Sequence, residues 1–221
     1  MARLARLCIP GQPHLVQQRG HNGQPVFIDE ADIRGFLRML AEAAKANGVA
    51  VHAYGLATGE VHLLATPTAA DSLSRLMQAI GRQHGQAFNR RHGRSGSLWD
   101  GRFRTAPIDG EQHLLAAMRY VESAVPDLRA SSASHHLGQA TDPVVSDHSL
   151  YWALGNTPFD REVKYRTWFE QGASSAEAER FRRAVTQGWP LGEASFIDSL
   201  SQVTTRRLAA RPRGRPPKTA V

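Results

Sequence analysis

The strongest constraint on the fold is a hydrophobic period that switches between two and about 3.6 residues, in a fixed order, from His14 to Glu122. HLVQQR at 14–19 reads as a strand, and residues 20–23 follow as turn chemistry. A helix comes next. Asp29 ahead of Glu30 and Asp32 marks its start, Ile33, Phe36, Leu37, Leu40 and Ala44 form its inner face, and Asn47 and Gly48 end it. Residues 49–56 and 60–66 are two strands joined around Ala57, Thr58 and Gly59 as a hairpin. From Asp71, the residues Leu73, Leu76, Met77, Ile80, Ala87 and Phe88 recur at helical spacing until Gly93. Residues 102–108 read as another strand, and Asp109 or Gly110 caps a helix with the stripe Leu114, Ala117, Met118 and Val121. The order strand, helix, strand, strand, helix, strand, helix predicts an α+β fold on a split βαβ sheet with helices on one face.

The pattern changes after about Ala130. Residues 131–149 are rich in Ser, His and Asp with little periodicity and read as a linker or loosely packed loop. Helical stretches follow around 161–170, 176–187 and 193–203, forming an appendage rather than a second core. Arginines at 206, 207, 211, 213 and 215 with Lys218, and prolines at 212, 216 and 217, make the terminus a basic, disordered tail. The expected organisation is therefore a domain at 1–130, a linker and helical appendage at 131–205, and a tail at 206–221.

An apolar content of 41% over 221 residues supplies a core, which excludes disorder throughout. Lys and Arg outnumber Asp and Glu by 27 to 20, and most of the bases are Arg, which grips phosphate in two-pronged fashion. A polyanion is the natural partner; solubility alone is the plainer reading. The single cysteine, Cys8, excludes an internal disulfide or a cysteine-built zinc site and fits a reducing compartment. No run approaches membrane-spanning length, so a soluble, cytoplasmic protein is expected.

Four constellations bear on chemistry. Glu60 and His62 stand two apart in GEVHLLATP, which on a strand puts a carboxylate and an imidazole on one face, ready for one divalent cation. The same spacing fits a solvated strand face above Val61 and Leu63. Tyr120 stands off the stripe of Leu114, Met118 and Val121, so it is either a boundary tyrosine or a nucleophile beside a metal-polarised phosphate. The segment RQHGQAFNRRHGRSGSLWDGRFR interleaves Arg82, Arg90, Arg91, Arg94, Arg102 and Arg104 with Phe88, Trp99 and Phe103, against one acid, Asp100. Arginines for phosphates, aromatics for bases and glycines for close approach suit single-stranded or hairpin DNA; a solvated loop anchored by Trp99 and Phe103 is the alternative. In RPRGRPPK, Arg213 and Arg215 flank Gly214 as in an AT-hook, which lies in a narrow A·T minor groove.

Together, RGHNGQPVFIDEADIRGFL, VHAYGL with VHLLATP, FNRRHGRSGSLWDGRF and MRYVE resemble, in family order, the single-tyrosine HUH transposases, especially the branch associated with repetitive extragenic palindromes. That resemblance runs from about Arg19 to Ala130 and again over the terminal helices and tail. It implies a ferredoxin-like or RRM-like antiparallel sheet and a protein that is usually a homodimer. It also implies Mg²⁺ or Mn²⁺ between two strand histidines, and a helix tyrosine that cuts single-stranded DNA near a hairpin or palindrome, leaving a 5′-phosphotyrosine and a free 3′-hydroxyl.

Carried onto this sequence, the nucleophile is Tyr120 and the second metal histidine is His62. The first histidine is replaced by Glu60, and the asparagine expected one turn after the tyrosine is replaced by Ala124. Glutamate is itself an oxygen ligand for hard cations, at the cost of an extra negative charge facing the phosphate. Two functions follow as expectations: a transposase-type nickase and rejoiner, or a catalytically decayed, domesticated binder of DNA hairpins. An RNA-binding module fits less well, because its stacking aromatics belong on central strands that here offer His52, Tyr54 and His62.

Overall fold

Four short strands with inward-facing apolar residues pair into one antiparallel sheet in the computed structural model, which describes residues 5–210. They are β1 (His14–Arg19), β2 (Val49–Ala57), β3 (Glu60–Pro67) and β4 (Arg104–Pro107), in the order β2-β3-β1-β4. With α1 (Glu30–Ala46) after β1, α2 (Ser72–Arg91) after β3 and α3 (Gly110–Glu122) after β4, this is the expected split βαβ arrangement. Asp29 caps α1 by accepting from the Ala31 and Asp32 amides, and Gly48, at φ +61°, releases the chain into β2.

Helices α1 and α2 cover one face. Phe36, Leu40, Leu73, Leu76 and Ile80 meet Val16, Val51, Leu56, Val61 and Leu63 there, and each such buried side chain contributes about 1.5–3 kcal/mol. The expected place of Ala87 in that stripe goes instead to His84, while Ala87 is exposed. His84 lies one turn after Ile80 and one before Phe88, and the Val26 carbonyl 2.8 Å from its Nε2 makes its burial tolerable.

The opposite face is covered too, by α3 and the helices that follow it. An irregularity between Val51 and Ala53 resets the alternation of β2, so Ala53 and Gly55 join Leu15 and Leu64 on this second face. Leu114, Ala117, Met118 and Val121 of α3 pack there, with Tyr165 of α6 (Pro158–Glu170) and Phe181 and Val185 of α7 (Ser175–Gln187). A second core therefore exists where an appendage was expected, and it belongs to the same sheet.

Residues 131–149 are not a loose loop. Ser132, Ala133 and His136 have no exposed surface. Ser132 exchanges hydrogen bonds with the backbone of Tyr54, and the Ser146 amide donates to the Val51 carbonyl, so this stretch seals the edge of β2. The seal rests on main-chain bonds and the Ser132 hydroxyl rather than on an apolar stripe, which is why hydrophobic period missed this stretch. It carries two short helices, α4 (Ala133–His136) and, at its end, α5 (Ser149–Trp152). The last helix, α8 (Ala194–Val203), places Leu200 against Leu7 and Ile9. Arg206 donates to the Gly188 and Ala5 carbonyls, so the start of the basic terminus is anchored; Arg213 and Arg215 lie outside the described residues. Among the described residues, no helix is long and apolar enough to cross a membrane.

Candidate active site

Strand alternation puts Glu60, His62 and Leu64 on the second face, beneath α3. The register sets Gln17 of β1 opposite His62 and Arg19 opposite Glu60, so four polar side chains form a square on the sheet. Glu60 is its hub. Its Oε2 lies 3.1 Å from His62 Nε2 and accepts from Gln17 Nε2 at 2.8 Å, while its Oε1 pairs with Arg19 Nε at 2.9 Å. The bond to His62, followed by those to Gln17 and Arg19, holds the Glu60 carboxyl below the usual range against partial burial, so it is ionised near neutrality.

Tyr120 overlooks this square from α3. Its ring meets His62 edge-on at 6.4 Å between centroids and packs on Phe181 of α7 at 5.2 Å. Burial and then the Glu60 charge raise its hydroxyl pKa, while Arg182 of α7 and Arg19 pull it down. The helix comes this close because Gly55, opposite His62 on β2, has no side chain: a Cβ there would stand 2.3 Å from the Val121 carbonyl oxygen. Neighbours of Tyr120 pin the helix. Arg119 bonds Glu177 Oε2 at 2.7 Å and stacks on Trp168, while Glu122 accepts from Ser132, His136 and Tyr165, each at 2.6 Å.

With these positions set, sequence comparison decides the family, because the model of IS200-like transposases matches residues 14–124, from the start of β1 to just past the tyrosine helix. The chain belongs to the IS200-like transposase family. No curated protein matches it. Among solved structures it is similar to a REP-associated tyrosine transposase bound to a REP hairpin, at 17% identity and TM-score 0.49, over 67% of this chain and 96% of that one. It is also similar to a putative transposase from Deinococcus radiodurans R1, at 24% identity and TM-score 0.37, over 56% of this chain and 97% of that one.

In this transposase fold the sequence-derived residues divide between two faces. Glu60, His62 and Tyr120 come together. Arg104, opposite Gln17 on β4, shares their face, and Arg102 lines a cleft of about 240 Å³ with Arg6, Arg104 and Arg206. Arg82, Arg90, Arg91 and Arg94 belong to α2 and the turn after it, across the sheet from Tyr120. Of these, Arg91 is paired with Asp29 and Asp32, and Arg94 bonds Gln24 and lies over Phe88. Phe88 and Phe103 are core residues, and Trp99 is half-buried with its indole N–H on the Gly81 carbonyl at 2.9 Å.

Gln17, Arg19, Gly55 and Arg182 were missed by sequence reasoning. Gln17 and Arg19 stand two apart in HLVQQR, on the polar side of a strand, a signal visible only once the register with β3 is known. The donor set suits a hard divalent cation: an ionised carboxylate and an imidazole nitrogen adjoin a 3% exposed amide whose Oε1 has no hydrogen-bond partner. Rotating that amide would bring its oxygen toward Glu60 and His62 as a third ligand.

Proposed function

We propose that this family member is a metal-dependent nuclease and strand-transferase acting on single-stranded DNA at a hairpin or palindrome, with Tyr120 as nucleophile. The observation that carries the reading is the convergence of Tyr120, His62 and Glu60 on one sheet face, above Gly55. Glu60 and His62, with Gln17, would hold Mg²⁺ or Mn²⁺, which supplies Lewis-acid polarisation of the scissile phosphate. Tyr120 Oη attacks phosphorus, the bond to the 3′-oxygen breaks, and that oxygen takes up a proton, leaving a 5′-phosphotyrosine and a 3′-hydroxyl. Burial and the Glu60 charge hold the Tyr120 hydroxyl protonated at rest, with Arg182 and Arg19 opposing that shift, so the phenol gives up its proton to water as Oη attacks. Arg102 and Arg104 offer cations to neighbouring phosphates along the same face.

One observation favours a second reading, a binder that no longer cuts: Arg19 already neutralises one oxygen of Glu60, where a cation would otherwise do so. Substituting Glu60→His separates the two. Imidazole removes the negative charge facing the phosphate and frees Arg19 to meet DNA, so Mn²⁺ should bind on the order of tenfold more tightly and cleavage of a labelled hairpin should rise. Calorimetry with Mn²⁺ and a denaturing gel read both. Unchanged or weaker binding, with no cleavage in either protein, would leave the binder.

The reading extends to the terminus, where Arg213 and Arg215 are assigned A·T-rich duplex. Removing residues 211–221 should weaken duplex binding, flatten its salt dependence by about one log–log unit per lost phosphate contact, and spare the hairpin. Equal losses on both DNAs, measured by titration at two salt concentrations, would make the segment a general electrostatic arm.

A further inference from the structure

A second cluster of ligating side chains lies away from the tyrosine, between α4 and the loop before α5. His135, His136 and Asp147 each present one ligand atom there, all within 4.8 Å of one another. Asp147 Oδ1 is 3.2 Å from His135 Nε2 and 3.7 Å from His136 Nε2. Tetrahedral zinc, with bonds of about 2.0–2.2 Å to nitrogen and oxygen, spaces its ligands by roughly 3.3–3.5 Å, so the group needs only a small closure.

His136 supplies the independent observation. Its side chain is fully buried, and its Nε2 faces the carboxylate without a hydrogen-bond partner. Its other nitrogen is 2.6 Å from Glu122 Oε1. A carboxylate there fixes the proton on Nδ1 and aims the Nε2 lone pair at Asp147, the arrangement that orients and strengthens a metal-binding imidazole. A lone pair facing a carboxylate in a buried place is repulsive unless a cation lies between them.

We propose that His135, His136 and Asp147 hold a borderline divalent cation of the zinc type, with water as the fourth ligand. Water and ion enter from a cleft of about 370 Å³ bounded by His135, Gly138, Asp147, Tyr151, Arg161 and Glu162. His135 now accepts the Asp142 amide at Nδ1, at 3.1 Å, which places its proton on Nε2. Binding moves that proton to Nδ1 and releases the amide, so the loop at Asp142 yields one hydrogen bond. Two nitrogens and one oxygen favour zinc or cobalt over magnesium, unlike the set at Glu60. The ion ties the segment sealing β2 to Glu122, two residues from Tyr120, and so braces the tyrosine helix.

Co²⁺ titration of the full chain, followed by optical absorption, tests this with no reference to DNA. A Glu60→Ala/His62→Ala variant should still bind one equivalent with the intense ligand-field bands of a tetrahedral site, displaced by Zn²⁺. Asp147→Asn, which keeps the side chain's shape, and His135→Ala should each weaken binding at least tenfold. Zn²⁺ should raise the melting temperature of the wild type and of the Glu60→Ala/His62→Ala variant, and not that of Asp147→Asn. Affinity unchanged by Asp147→Asn, or bands lost with Glu60 and His62, would overturn the proposal. So would a melting temperature indifferent to Zn²⁺, which would mean that a proton, not a metal, bridges His136 and Asp147.

Discussion

Gly55→Ala should cut strand cleavage by about a hundredfold while leaving hairpin binding nearly unchanged, because the new methyl lifts the tyrosine helix from the sheet. Its Cβ would stand 2.3 Å from the Val121 carbonyl oxygen, a backbone atom that cannot rotate aside. Overpacking of this kind costs about 1–3 kcal/mol, and a displacement of about 1 Å between reacting groups costs roughly a hundredfold in rate. Tyr120 is the residue next to Val121, so it moves with the helix, while Arg104 on β4 and Arg102 just before it, which face the DNA phosphates, do not. A gel assay beside a thermal melt reads both effects. Unaltered cleavage and melting would show that α3 does not rest on Gly55.

Acidification below pH 6.5 should destabilise the fold well before the carboxylates titrate. His14 and His52 are buried and neutral. His14 Nδ1 lies 2.7 Å from the Gln12 carbonyl while its Nε2 accepts the Ile9 amide; His52 bonds the Ser146 carbonyl at 2.7 Å and the Thr66 hydroxyl at 2.8 Å. Burial lowers both to about 4 from the ordinary 6.5. Between those values the unfolded chain binds protons that the folded one refuses. Stability is therefore whole above pH 6.5 and falls as pH drops toward 4, by about 3 kcal/mol per histidine at roughly 1.4 kcal/mol per pKa unit. His84, lowered likewise by burial, adds to the loss; His135, raised chiefly by its bond to Asp147, works against it but is partly exposed. Against a typical total of about 5–15 kcal/mol this is a large effect. Urea melts at pH 7.5, 5.5 and 4.5 should show the midpoint falling, and His14→Gln should flatten the trend. A midpoint independent of pH would mean that these histidines ionise in place.

The order of elements was legible because it rests on local period. Phe36, Leu40, Leu73 and Ile80 lie where helical spacing put them, and the hairpin at Gly59 closes on the pair Ala57 and Glu60. That Glu60, His62 and Tyr120 share one face was likewise legible, since strand parity and helical phase are properties of single elements. What stayed hidden depends on pairing between elements. Gln17 meets His62 only through the register of β1 with β3, and Gly55 reaches the tyrosine face only because β2 is irregular near His52. Residues 131–149 misled because their polar side chains bond inside the protein, Ser132 to Tyr54 and Glu122, His136 to Glu122 and His135 to Asp147, and composition does not distinguish that from solvation. The aromatics of the arginine-rich segment also looked alike in sequence, yet Phe88 anchors α2 inside the core.

If Tyr120 is the nucleophile, it becomes joined to DNA. Wild-type protein is incubated with a labelled hairpin carrying single-stranded flanks, in Mn²⁺ or EDTA, and denatured. The expected product is a protein–DNA adduct that needs the metal, maps by mass spectrometry to the peptide containing Tyr120, and vanishes in Tyr120→Phe although that variant still binds the hairpin. An adduct that persists in Tyr120→Phe, or hairpin binding with no adduct in any metal, would contradict that role.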